Sequence, residues 1–134
     1  MLKILVVDDS LIIRKKITKL AEKLGHEVLG SAKDGQEGID AYESNKPDLV
    51  TMDITMPDMD GITAVKGIMK NDANAKIIMV TSHGQEDMVI KSIQAGAVGY
   101  MLKPVTEYKL AIAISEVFEE YSVEDEDDLD FLDD

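Results

Sequence analysis

Leu49-Val50-Thr51-Met52-Asp53-Ile54-Thr55-Met56-Pro57 sets a short, almost wholly apolar run directly before an acid, with a proline soon after. A run that short and that apolar fits a strand buried on both faces, as in a parallel sheet covered by helices. Two other runs share this character: Ile4-Leu5-Val6-Val7, followed by Asp8-Asp9, and Ile77-Ile78-Met79-Val80, followed by Thr81-Ser82. Five strands are predicted, Lys3 to Val7, Glu27 to Ser31, Leu49 to Met52, Lys76 to Val80 and Val98 to Met101. The second and fifth are less apolar and suit the edges of a sheet.

Amphipathic stretches lie between the strands. In Ser10 to Leu24 the residues Ile13, Ile17, Leu20 and Leu24 recur at helical spacing, with Ser10 as a cap and Gly25 as a stop. Gln36 to Ser44, Ile62 to Asn71, Glu86 to Ala95 and Thr106 to Tyr121 complete five helices, the last marked by Leu110, Ile114, Val117 and Tyr121. Strands alternating with helices make an α/β fold, a doubly wound (βα)5 parallel sheet.

The chain has 134 residues, 45% hydrophobic and 31% charged, which fits one compact domain. No apolar run approaches the ~20 residues of a membrane helix, and Met1 to Val7 is too short for a signal peptide before it turns acidic at Asp8. No membrane association is expected, and a cytoplasmic location is. The absence of cysteine removes disulfides, thiolate metal sites and cysteine nucleophiles together. Of 27 acidic residues, 11 fall in Glu116 to Asp134, where no basic residue occurs. Residues 1–115 are thus nearly neutral, and the division expected is a domain over 1–121 followed by an acidic tail over 122–134. Nucleic acid would be repelled, and no Lys/Arg stripe with interleaved aromatics offers it a surface.

Ligands of open α/β sheets bind beyond the carboxyl ends of the strands. Here those ends carry Asp8 and Asp9, Asp53, Thr81 and Ser82, and Lys103. If strands one and three are neighbours, three carboxylates meet and repel. A cation relieves that, and hard oxygen ligands at this density suit Mg²⁺. Lys103 then adds a compact positive charge and Thr81 a hydrogen-bond donor, a set able to hold a phosphoryl group. Each acid taken alone could equally cap the helix that follows it. Lys103-Pro104 follows a strand directly, where a cis X–Pro turn would aim the lysine inward.

Asp8-Asp9, Asp53-Ile54-Thr55-Met56-Pro57 with Asp60-Gly61, Thr81-Ser82 and Lys103-Pro104, in this order on strand ends, resemble the receiver domain of two-component response regulators over residues 2 to about 120. The resemblance implies the flavodoxin-like strand order 2-1-3-4-5. It implies that Asp53 accepts a phosphoryl group from a sensor histidine kinase or a small donor such as acetyl phosphate. Asp9 and Asp53 would bind Mg²⁺ with the Thr55 carbonyl, Asp8 acting mainly through water, while Lys103 and Thr81 contact the phosphoryl group. It further implies a monomer whose Thr81 and Tyr100 switch on phosphorylation, although Tyr100 reads equally as a static edge aromatic. Val89, Tyr100 and Leu102 are the candidate contact residues of the surface that changes. Thr55 and His83 would flank the water that removes the phosphoryl group. His26, beside Gly25, reads as the end of the first helix.

The stand-alone chemotaxis type is the nearest resemblance, with a downstream switch, adaptor or phosphatase protein as partner; receivers of other phosphorelays look similar. A haloacid dehalogenase-like phosphohydrolase also forms an aspartyl phosphate, but pairs its nucleophile with an Asp two positions on, where Thr55 stands. A flavodoxin-like electron carrier would need a phosphate loop that is missing, and no P-loop occurs. In the tail, Leu129, Phe131 and Leu132 among aspartates read as a solvated segment, a docking motif for a partner, or a segment that packs back on the domain.

Overall fold

Alternation of side chains along β1 (Lys3–Val7) sends Leu5 and Val7 to one face of the sheet and Ile4 and Val6 to the other, and all four are buried. The computed structural model describes residues 1–82 and 84–121. Its order is β1, α1 (Leu11–Lys23), β2 (Glu27–Ala32), α2 (Gly35–Asn45), β3 (Leu49–Asp53), α3 (Gly61–Asn71), β4 (Ile77–Thr81), α4 (Glu86–Ala95), β5 (Gly99–Leu102) and α5 (Glu107–Val117), then a 3₁₀ turn at Glu119–Tyr121. The strands form one parallel sheet in the order β2-β1-β3-β4-β5. The edge positions of β2 and β5 and the burial of β1, β3 and β4 agree with the hydropathy pattern.

Two apolar layers sandwich the sheet. One joins Leu5, Val7, Val50, Met52, Ile77 and Met79 to Ile62, Val65 and Ile68 of α3 and Tyr42 of α2. The other joins Ile4, Val6, Leu49, Ile78 and Val80 to Ile17, Leu20 and Ala21 of α1 and Leu110 and Ile114 of α5. Among the described residues no helix is long and apolar enough to cross a membrane.

The predicted caps act as expected. Ser10 Oγ accepts from the Ile13 amide at 3.3 Å, and Gly25, with φ of 92°, lets the chain turn after α1. β1 keeps its predicted bounds, β2 and β3 run one residue further, and β4 and β5 start and end one residue later than predicted. The last helix is shorter than Thr106 to Tyr121: it stops at Val117, Phe118 is extended, and Tyr121 belongs to the 3₁₀ turn. Tyr121 keeps its apolar contact with the α1–α5 layer, so helical spacing alone could not show the break. The acidic tail at 122–134 and His83 lie outside the described residues.

Candidate functional site

Register brings the acids together. Val7 of β1 pairs with Met52 of β3, so the next residues, Asp8 just beyond β1 and Asp53 at the end of β3, stand side by side. Carboxylate oxygens of Asp8, Asp9 and Asp53 all lie within 4.8 Å of one another. Asp8 is 1% and Asp53 4% exposed, while Asp9 faces solvent.

Asp8 is held by its own backbone and its neighbours. Its amide donates to the Ala32 carbonyl at 3.0 Å, its Oδ1 accepts from the Ser10 amide at 2.9 Å, and its carbonyl accepts from Arg14 Nη1 at 2.8 Å. Lys103 enters from the far side of the site. Its amide donates to the Thr81 carbonyl at 2.8 Å, the Lys103–Pro104 bond is cis, and its ammonium stands 2.9 Å from Asp8 Oδ2 and 3.4 Å from Asp53 Oδ1. Asp8 Oδ2 is sealed from solvent and meets that ammonium as a charge, without hydrogen-bond geometry.

One ammonium does not balance three carboxylates. Burial, and then the charge of Asp8, push the Asp53 carboxyl up to about 7, with Lys103 opposing. Burial pulls the Lys103 ammonium down, but the adjoining carboxylates of Asp8 and Asp53 outweigh this and its net shift is upward. A sealed carboxylate oxygen without a hydrogen bond, beside a carboxyl that resists ionising, marks a site short of positive charge. Its hard oxygen donors fit a small divalent cation such as Mg²⁺.

The Asp60-Gly61 pair shapes the opposite wall. Asp60 caps α3, its Oδ1 accepting from the Thr63 amide at 2.8 Å, and the Gly61 amide donates to the Ile54 carbonyl at 2.7 Å. A Cβ on Gly61 would overlap the Asp53 carbonyl oxygen, so only glycine lets α3 start so close to the end of β3.

The predicted residues fall in two places. Asp8, Asp9, Asp53 and Lys103 share one cluster, and Thr81 is buried at the end of β4, opposite Leu102 of β5. Thr55 lies exposed in the loop after β3. Tyr100 and Leu102 point outward, 46% and 41% exposed, and Val89 on α4 is half-buried. Tyr100 thus takes the outward position of an edge aromatic rather than an inward one.

His26 is more than a helix end. It is buried, its Nδ1 accepts from the Leu2 amide at 3.1 Å, and its ring meets Tyr121 edge-on at 4.8 Å. The sequence offered one signal for this, a histidine directly before a strand. Arg14, which braces Asp8 through a carbonyl, carried none.

Comparison with known proteins agrees with this geometry. The response regulator receiver domain family matches residues 4–115. The chemotaxis protein CheY of Thermotoga maritima is 45% identical over 115 residues, covering 86% of this chain and 96% of that protein. The Bacillus subtilis CheY is 47% identical over 113 residues, covering 84% and 94%. Among solved structures, the Borrelia burgdorferi CheX-CheY-BeF3-Mg complex superposes with a TM-score of 0.84 at 36% identity, covering 87% of this chain and 88% of that one. With an acidic cluster at the carboxyl ends of β1 and β3, strand order 2-1-3-4-5 and relatives of this identity over most of its length, the chain belongs to the response regulator receiver domain family of two-component signalling.

Proposed function

We propose that Asp53 is the phosphoacceptor of this receiver and that Asp8, Asp9 and Asp53, with the Thr55 carbonyl, hold Mg²⁺. The observation that carries this is the convergence of three carboxylates within 4.8 Å with the Lys103 ammonium on two of them. When bound, the metal would supply positive charge against phosphoryl oxygens. An Asp53 carboxylate oxygen attacks phosphorus, the bond from phosphorus to a donor histidine nitrogen breaks, and the imidazole leaves with the bonding pair. The product is an aspartyl phosphate. Lys103, already 3.4 Å from Asp53 Oδ1, pairs with a phosphoryl oxygen, and the Thr81 hydroxyl donates to another.

Water removes the phosphoryl group: its oxygen attacks phosphorus, the bond to Asp53 breaks with its electron pair going to the carboxylate, and inorganic phosphate keeps the protons of the water. Thr55, exposed in the loop after β3, and His83, two residues after Thr81 in the sequence, would tune the rate of this removal. The similarity to chemotaxis proteins supports signalling in chemotaxis: a sensor histidine kinase phosphorylates the chain, and a switch, adaptor or phosphatase protein reads the result. Tyr100 and Leu102, exposed on β5, with Val89 on α4, would form the surface that responds.

Incubation with Mg²⁺ and acetyl phosphate, followed by mass spectrometry, tests the assignment. One base-labile phosphoryl group per chain, absent from Asp53→Ala and from samples treated with chelator, is the expected result. Labelling that survives Asp53→Ala would remove Asp53 from the role.

A further inference from the structure

Ile12, Lys15, Lys16, Lys19 and Lys23 recur along α1 at spacings of three, one, three and four, and all five are exposed. They make one outward stripe on a helix whose opposite side, Ile17, Leu20 and Ala21, is buried. Among the described residues Lys15, Lys16 and Lys19 make no ion pair, and Lys23 meets Glu107 at 3.5 Å. Beside the stripe runs a groove of about 410 Å³ lined by Leu11, Arg14, Lys15, Thr18, Lys19 and Ser31, and at its head Leu11 and Ile12 are 54% and 78% exposed. A chain with net charge −13 thus concentrates cations on one helix next to uncovered apolar side chains.

The complementary segment belongs to the same chain. Residues 122–134 hold eight acids, no base, and Leu129, Phe131 and Leu132 near the end. Their starting point is fixed: Tyr121 accepts from the Met1 ammonium at 2.5 Å and packs edge-on against His26, whose amide donates to the Ala21 carbonyl of α1. Tyr121, the last described residue, therefore sits beside the last turn of α1. Eight residues from Tyr121 to Leu129 reach up to about 26 Å, and the 13-residue α1 is about 20 Å long. Acids would pass Lys23, Lys19 and Lys16 before the apolar residues arrive at Leu11 and Ile12.

We propose that residues 122–134 dock on the basic face of α1 in the same molecule, a charged strap whose apolar end covers Leu11 and Ile12. The groove between β5 and α5 is a poorer host. It includes Glu116, and the ammonium of its one lysine, Lys109, already donates to the carbonyls of Leu102 and Pro104. The strap would end beside Ser10, next to the acidic cluster, and would shield α1 from acidic surfaces of other proteins. This inference does not rest on the role assigned to Asp53.

The lack of native cysteine allows a clean test. The full chain carrying Asp130→Cys is labelled with a nitroxide, and NMR amide intensities are compared with those of the reduced label. Amides from Ile12 to Lys19 should lose at least half their intensity. The loss should reverse in about 0.5 M NaCl, where screening shortens to roughly 4 Å, and in Lys15→Glu/Lys16→Glu/Lys19→Glu. The salt arm uses no α1 variant, so it stands even if the triple change harms folding. Broadening centred on Tyr100 to Glu116, broadening nowhere, indifference to salt, or transfer of the effect to isotope-labelled chains mixed with spin-labelled ones would each overturn the proposal.

Discussion

Gly61 presses against the carbonyl of Asp53 so closely that no side chain fits between them. The obstacle is backbone, which cannot rotate away as a side chain would. Gly61→Ala should therefore displace either the start of α3 or Asp53 itself. The expected loss is about 1–3 kcal/mol by urea unfolding, with at least a tenfold fall in acetyl phosphate labelling. Unchanged labelling would show that α3 alone yields.

Lys103 lies on Asp8 and Asp53 where a divalent cation would also have to balance charge. Lys103→Met should make Mg²⁺ bind more tightly, by about tenfold or 1.4 kcal/mol, because a competing positive charge is gone. The same change should slow phosphoryl transfer, since the oxygen partner is lost. Isothermal calorimetry and labelling rates read the two effects separately, and weaker Mg²⁺ binding would refute the competition.

Asp53 gives the metal-free protein an unusual pH profile. Its folded carboxyl titrates at about 7 against 3.8 when unfolded, so the folded state holds the proton more tightly between those values. The associated stability is complete below pH 3.8 and is lost as pH rises through about 7. Asp53→Asn should remove this decline and stabilise the metal-free fold at pH 8 by about 1–3 kcal/mol. Thermal melts in chelator across pH 5 to 8 measure it, and saturating Mg²⁺ should raise the wild-type melting temperature most at the alkaline end.

His26 slopes the other way. Burial, and then the charge of the N-terminus, hold its imidazole below the usual 6.5, so its contribution is present above pH 6.5 and is lost as pH falls below that value. Protonation would also take the Nδ1 lone pair that receives the Leu2 amide. His26→Phe should flatten the acid side of the profile at a cost of about 1 kcal/mol at pH 8. The C2 proton shift of His26 by NMR gives its titration directly.

Apolar runs and helical spacing located the five strands and five α-helices of the described residues, because burial on both faces of β1, β3 and β4 writes itself into consecutive residues. The acids were visible for a similar reason: each follows a strand immediately, and neighbouring strands bring them together. What stayed hidden depends on contacts across the chain. Tyr121 and His26 meet over 95 residues of sequence, and the clash behind Gly61 involves a carbonyl eight residues earlier. The outward direction of Tyr100 follows from β5 lying at an edge, and strand order entered by resemblance to a family rather than from hydropathy.

Asp8 and Asp53 hang from adjacent strands whose pairing fixes Val7 opposite Met52. Ladder hydrogen bonds, not a hinge, thus set the spacing of the anionic floor. A group added to Asp53 would meet ground held by the ladder, and any displacement would fall on the parts around it. Those are the long arm of Lys103, the end of β4 at Thr81 and the half-uncovered β5 margin. If Asp53 takes up the phosphoryl group, a rigid anvil with a compliant rim would convert a chemical event at one oxygen into motion at the edge of the sheet, where another protein could feel it.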